Sequence, residues 1–109
     1  MKLAATVILY NPEISVIDNI NTYSDHVDSL IIIDNSDCLN SEFVSKLKKI
    51  GKKIIYQSFG ENLGIAKALN TAADIAMQKG FTHLLTMDQD SRFDIRNISF
   101  LIKAACNKA

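Results

Sequence analysis

An α/β fold, with a mostly parallel sheet flanked by helices, is what the sequence predicts, and three observations lead there. Short aliphatic, β-branched runs recur along the chain. Each is followed by a stretch with apolar residues at helical spacing, and the two patterns alternate. Such alternation marks right-handed βαβ units, in which parallel strands are joined by helices that cover the sheet.

The elements follow in order. Leu3 to Leu9 is a near-continuous apolar run that suits a strand covered on both faces, and Asn11-Pro12 stops it. Glu13 to Tyr23 places Ile14, Val16, Ile17, Ile20 and Tyr23 at mostly helical intervals. Leu30 to Ile33 reads as the second strand, and Asp34-Asn35-Ser36-Asp37 as the polar loop after it. A second helix opens at Ser41, carries Val44, Leu47 and Ile50, ends in Lys48-Lys49 and stops at Gly51. Lys53 to Gln57 is a short third strand, followed by a Ser58 to Gly64 loop with two glycines and Asn62. Ile65 to Lys79 is the clearest helix, with alanines small enough for close approach to a sheet, and Gly80 ends it. Thr82 to Met87 is the fourth strand, and Phe93 to Ala105 a last helical pattern.

The totals fit this scheme and exclude several classes. A chain of 109 residues, 48% hydrophobic and 22% charged, is one domain with a real core rather than a disordered segment. Twelve basic and twelve acidic residues cancel, so the overall balance predicts neither nucleic-acid binding nor attachment to an anionic membrane; any anionic ligand must be held by local groups. Cys38 and Cys106 match no metal cassette and are expected as free thiols in a reducing cytoplasm. No apolar segment approaches the roughly 20 residues needed to span a bilayer. The opening run is read as a strand rather than a signal peptide, because Asn11-Pro12-Glu13 interrupts it without a small-residue cleavage site.

Function is expected where the polar groups gather. In open α/β sheets ligands bind beyond the carboxyl ends of the strands, where strand order reverses. Tyr10-Asn11-Pro12, Asp34-Asn35, the Asn62 loop and Asp88-Gln89-Asp90 each follow a strand and so share one rim. The last is the most informative: an extended backbone alternates its side chains, so Asp88 and Asp90 project to one side and Gln89 to the other. Paired carboxylates suit Mg²⁺ or Mn²⁺, whose remaining positions are commonly filled by phosphate oxygens and water. No glycine-rich phosphate fingerprint follows the first strand, which argues against a dinucleotide domain or P-loop and leaves a diphosphate to be neutralised by metal. His83, at the start of a strand, is expected to pack or sit exposed, and neither it nor His26 enters the mechanism. Arg92 is left open between phosphate contact and pairing with Asp94.

The ordered set Val7-Ile8-Leu9-Tyr10-Asn11-Pro12, Ile33-Asp34-Asn35-Ser36, Glu61-Asn62-Leu63-Gly64-Ile65-Ala66-Lys67-Ala68-Leu69-Asn70 and Met87-Asp88-Gln89-Asp90-Ser91 resembles glycosyltransferase family 2. Its Asp-Gln-Asp-Ser form is most similar to bacterial rhamnosyltransferases. The resemblance implies the nucleotide-sugar-binding half of a Rossmann-like GT-A fold, with strand order 3-2-1-4.

It further implies that Tyr10 stacks on a pyrimidine base, with Asn11 and Pro12 beside it, and that Asp34 accepts the imide N–H of uracil or thymine. Asn62 and Gly64 let backbone approach the nucleotide, and Lys67 is the nearby cation for the diphosphate. Asp88 lies toward ribose or metal, and Asp90 is the main metal ligand. The expected reaction is transfer from dTDP-rhamnose or a UDP-sugar to a glycan or lipid-linked glycan at the bacterial surface, in the cytoplasm or peripherally at the inner face of the membrane. Inverting members take a carboxylate base from beyond the acidic motif, so residues 1–109 are expected to form a truncated donor-binding domain, catalytically incomplete and with an exposed flank that permits a homodimer. The alternative is a noncatalytic nucleotide-binding or interaction module on the same scaffold. A receiver-like signalling domain is disfavoured, since no acid cluster lies on the first strand.

Overall fold

The computed structural model describes residues 2–90 except 39 and 52; the expected helix 93–105 and residues Arg92, Asp94 and Cys106 lie outside the described residues. In chain order the elements are β1 (Leu3–Leu9), α1 (Val16–Asn21), a 3₁₀ turn (Ser24–His26), β2 (Ser29–Asp34), α2 (Ser41–Lys48), β3 (Ile54–Ser58), α3 (Ile65–Gln78) and β4 (His83–Asp88). The four strands form one sheet in the order β3-β2-β1-β4. Every pairing is parallel, and the register sets Leu9 beside Asp34 and Ile8 beside Asp88. The parallel α/β arrangement is the one expected from the alternating pattern, and the Rossmann-like strand order is the one the family resemblance implies.

Strand alternation sorts the apolar residues into two cores. Leu3, Ala5, Val7 and Leu9 of β1, with Leu30 and Ile32 of β2, pack under Val16, Ile20, Tyr23, Phe43 and Leu47. On the opposite face Ala4, Ile31 and Ile33 meet the α3 stripe Ala68, Ala72 and Ala76. With no bulk on that stripe the helix axis lies close to the sheet, which the alanine-rich sequence anticipates. Thr6 is the polar exception in β1: its hydroxyl is buried and donates to the Ile31 carbonyl at 2.8 Å.

Boundaries depart from the sequence pattern where local bonding tightens. The Glu13–Tyr23 segment condenses to a six-residue α1, because the Val16 and Ile17 amides bond three residues back, to Glu13 and Ile14, as do those of Thr22 and Tyr23 to Asn19 and Ile20. Tyr23 is still fully buried. At the other extreme α3 ends with the Phe81 amide on the Ala76 carbonyl and the Gly80 amide on that of Met77, a paired closure that needs the left-handed φ of 81° at Gly80.

Candidate functional site

At the carboxyl end of the sheet, between β1 and β4 and beside the start of α3, lies a cavity of about 530 Å³. Ile8, Tyr10, Asn35, Asn62, Gly64, Ile65, Asp88, Gln89 and Asp90 line it. The position is the one physical chemistry favours. The chain runs outward from β1 through β2 to β3 and then returns to place β4 on the other side of β1, so the strand order reverses between β1 and β4, where the cavity lies. Its volume falls within the range of about 300–1,000 Å³ usual for small-molecule sites.

Each wall has a local cause. Asp88 is the last residue of β4 and sits on the ladder beside Ile8, while Asp90 lies two residues on, in the turn; both are exposed. Gln89, the first residue after β4, uses its side chain as a further strand residue would use its backbone. Its Oε1 accepts from the Tyr10 amide at 2.9 Å, and its Nε2 donates to the Tyr10 carbonyl at 3.2 Å. The Gln89 carbonyl in turn accepts from Asn19 Nδ2 of α1 at 3.0 Å. With its backbone held at both polar groups, Tyr10 remains 47% exposed as a residue at the cavity wall, which suits its ring to stacking on a planar ligand.

The third wall is built by two asparagines and a glycine. Asn62 Oδ1 accepts from the Gly64 amide at 2.9 Å, closing a tight turn. Gly64 then adopts φ 86° and ψ 164°, a conformation open essentially to glycine alone, and from it the chain enters α3. A side chain there meets no neighbour within 4 Å, so backbone conformation rather than crowding fixes the residue type. Asn35, 2% exposed, pins the turn from β2: its Nδ2 donates to the Gly64 carbonyl at 3.2 Å and its Oδ1 accepts from the Leu63 amide at 3.4 Å. α3 starts with no side-chain cap and no acidic residue in its first turn, so the positive end of its dipole faces the cavity uncompensated.

The expected residues divide. Tyr10, Asn62, Gly64, Asp88 and Asp90 are brought together around the cavity. Asn11 and Pro12 instead border a separate depression with Ser36, Cys38, Asn40 and Ser41, where the Asn11 amide donates to Ser36 Oγ. Lys67 lies exposed on the first turns of α3, outside the lining. Asp34 is 3% exposed and off the cavity wall: Oδ1 accepts from the Ser36 amide at 2.9 Å and Oδ2 from the Tyr56 hydroxyl at 2.6 Å. Burial, then the Asp34 carboxylate, hold the Tyr56 phenol well above the usual tyrosine range, so it stays a hydrogen-bond donor.

Asn35 and Gln89 are expected on the rim but without an assigned role, and Ile8 and Ile65 are not expected as site residues. Gln89 was legible as the odd residue between two carboxylates, and Asn35 only as part of a turn-rich loop.

As a donor set, Asp88 and Asp90 are hard oxygen ligands at an open rim, which fits a divalent cation that keeps positions for ligand phosphate and water. Among the described residues no group of three or more His, Cys, Asp and Glu gathers, so these residues offer such a site a pair of carboxylates. The arrangement as a whole offers an exposed ring, a helix N-terminus and an acidic pair within one cleft, which suits a ligand with a planar base and an anionic, metal-neutralised linkage.

Comparison with known proteins agrees with the geometry. The chain is 33% identical over 106 residues to the dTDP-rhamnosyl transferase RfbF of Shigella flexneri, an alignment covering 96% of this chain and 34% of that protein, so the chain spans about a third of the relative's length. The model of the family named Glycosyl transferase family 2 matches residues 12–109, and the chain belongs to that family.

Proposed function

We propose that this chain binds the nucleotide-sugar donor of a metal-dependent glycosyltransferase, with dTDP-rhamnose ahead of UDP-sugars as donor and a bacterial surface glycan as acceptor. One observation carries the reading: a single cleft gathers Tyr10, the Asn62–Gly64 turn and the Asp88/Asp90 pair from beyond or at the ends of three separate strands. The preference for a thymidine donor rests on the printed name of the relative.

In this reading the Tyr10 ring stacks on the base, a contact worth about 1–3 kcal/mol. The uncapped start of α3 attracts the diphosphate, and Lys67 on its first turns adds a cation. Asp88, held on the ladder, takes ribose or metal, and Asp90 is the principal metal ligand. A divalent cation bound there supplies positive charge to the departing nucleoside diphosphate. Asp34 has two acceptor positions beyond those used by Ser36 and Tyr56, and the family resemblance gives one of them to the imide N–H of thymine or uracil. Cytosine lacks that donor. The base that deprotonates the acceptor hydroxyl belongs to a part of the enzyme outside residues 1–109.

Calorimetric titration with dTDP, UDP and GDP, with and without Mn²⁺, tests the proposal. The expected result is Mn²⁺-dependent binding of dTDP and UDP, weak binding of GDP, and at least a tenfold loss in Asp90→Ala, equivalent to about 1.4 kcal/mol. Equal affinity for all three nucleotides, or binding indifferent to metal and to Asp90, overturns it.

A further inference from the structure

The chain is neutral overall, yet its charge is not evenly spread. From Phe43 to Gly60 there is no acidic residue, and the same stretch holds five of the twelve basic ones: Lys46, Lys48, Lys49, Lys52 and Lys53. Helix α2 ends at Lys48, so this segment carries the chain from the helix C-terminus around Gly51 to the start of β3. The Lys53 carbonyl accepts from Ser29 Oγ and the Leu30 amide, which fixes the segment at the amino end of β2. It therefore occupies the rim opposite the cavity.

Lys46, Lys48, Lys49 and Lys53 are all exposed, and none makes an ion pair among the described residues. Lys46 and Lys49 border a shallow depression with Ile17 and Asn21 of α1 and with Ile50. Ile17 and Ile50 are half-buried and supply an apolar floor between the ammonium groups. Part of this pattern is ordinary: lysines in the last turn of a helix complement its dipole, just as Glu42 does at the start of α2. The dipole falls off within one turn, so it leaves Lys53, beyond Gly51, unexplained.

We propose that this lysine-rich rim is a docking surface for the anionic phospholipid headgroups of a bilayer. Charge complementarity selects an anionic partner, and the residue types select its kind. The patch contains lysine and no arginine or aromatic residue, so it lacks the bidentate forks and stacking rings that read nucleic acid. Mobile point charges around an aliphatic floor match a diffuse sheet of headgroups, with the isoleucines at the boundary of the acyl region. Clusters of four to eight basic residues attract such surfaces. Docked in this way, the molecule presents its nucleotide cavity away from the lipid, and the two ligands bind independently.

Sedimentation of the whole chain with vesicles tests this without nucleotide or metal, so its outcome is separate from that of the donor-binding proposal. Vesicles of phosphatidylcholine and phosphatidylglycerol in equal parts should carry the protein down, and pure phosphatidylcholine should not. Replacing Lys46 and Lys49 by Gln should weaken the partition about fivefold per lysine, whereas replacement of both by Arg should preserve it. Salt near 1 M, where the screening length falls to about 3 Å, should release the protein. Equal partition to neutral vesicles, no partition to either kind, retention in the Gln variant, or equal affinity for duplex DNA at matched phosphate overturns the proposal.

Discussion

The two faces of the sheet are packed by opposite means. Under α1 and α2 the core is sealed by large side chains, Tyr23, Phe43 and Leu47, each no more than 1% exposed. Under α3 it is closed by three alanines that touch Ala4, Ile31 and Ile33, and the flanking residues Ile8, Leu84 and Phe81 are only partly covered. The first face stabilises; the second leaves the β1–β4 crevice open and so makes room for a ligand. In this chain the site lies where close packing stops, not where a special loop has been added.

Substitutions on each face can break that contrast, beginning with the largest effect. Phe43→Ala removes a ring from the sealed face and should cost about 3–5 kcal/mol of unfolding free energy in urea titration. Donor affinity of the folded fraction should be unchanged, since Phe43 does not line the cavity. Ala72→Leu forces bulk between α3 and the sheet and should cost about 1–3 kcal/mol. It should also displace the start of α3, so nucleotide affinity should fall with stability. If instead Phe43→Ala weakens binding and Ala72→Leu does not, the division of labour between the faces is wrong.

A finer distinction lies inside the open face. Gln89→Ala leaves the Tyr10 amide and carbonyl without their side-chain partner, a loss of about 1 kcal/mol in stability. Because water can reach this exposed pair, the larger consequence should be in binding: titration with dTDP should show weaker affinity and a less favourable entropy as the ring loses its fixed base. Unchanged dTDP binding would sink the role given to Gln89.

Much of this was legible in the residues. The alternation of apolar runs with helical spacings gave the β and α order, and Gly51, Gly64 and Gly80 stand at the helix boundaries with positive φ. The acidic motif was readable as a polar break after an apolar strand, and β4 does end at Asp88 with Asp90 in the turn that follows. Asp34 shows where the reading ran short. As the sixth residue of β2 it shares parity with Leu30 and Ile32, both of the sealed core, so the same alternation directs it inward to Tyr56. Treating Asp34 as the first residue of a loop concealed this. Asn35 was harder, because its bonds to Leu63 and Gly64 span 28 and 29 positions and leave no mark in local spacing.

The amide of Gln89 ties the backbone of Tyr10 to the residue between the two carboxylates. Under the proposed function, this tie sets the span between the stacking ring and the acidic pair. A ligand whose ring and charged group match that span meets both at once, and one that is shorter or longer by an atom or two must give up one contact to keep the other.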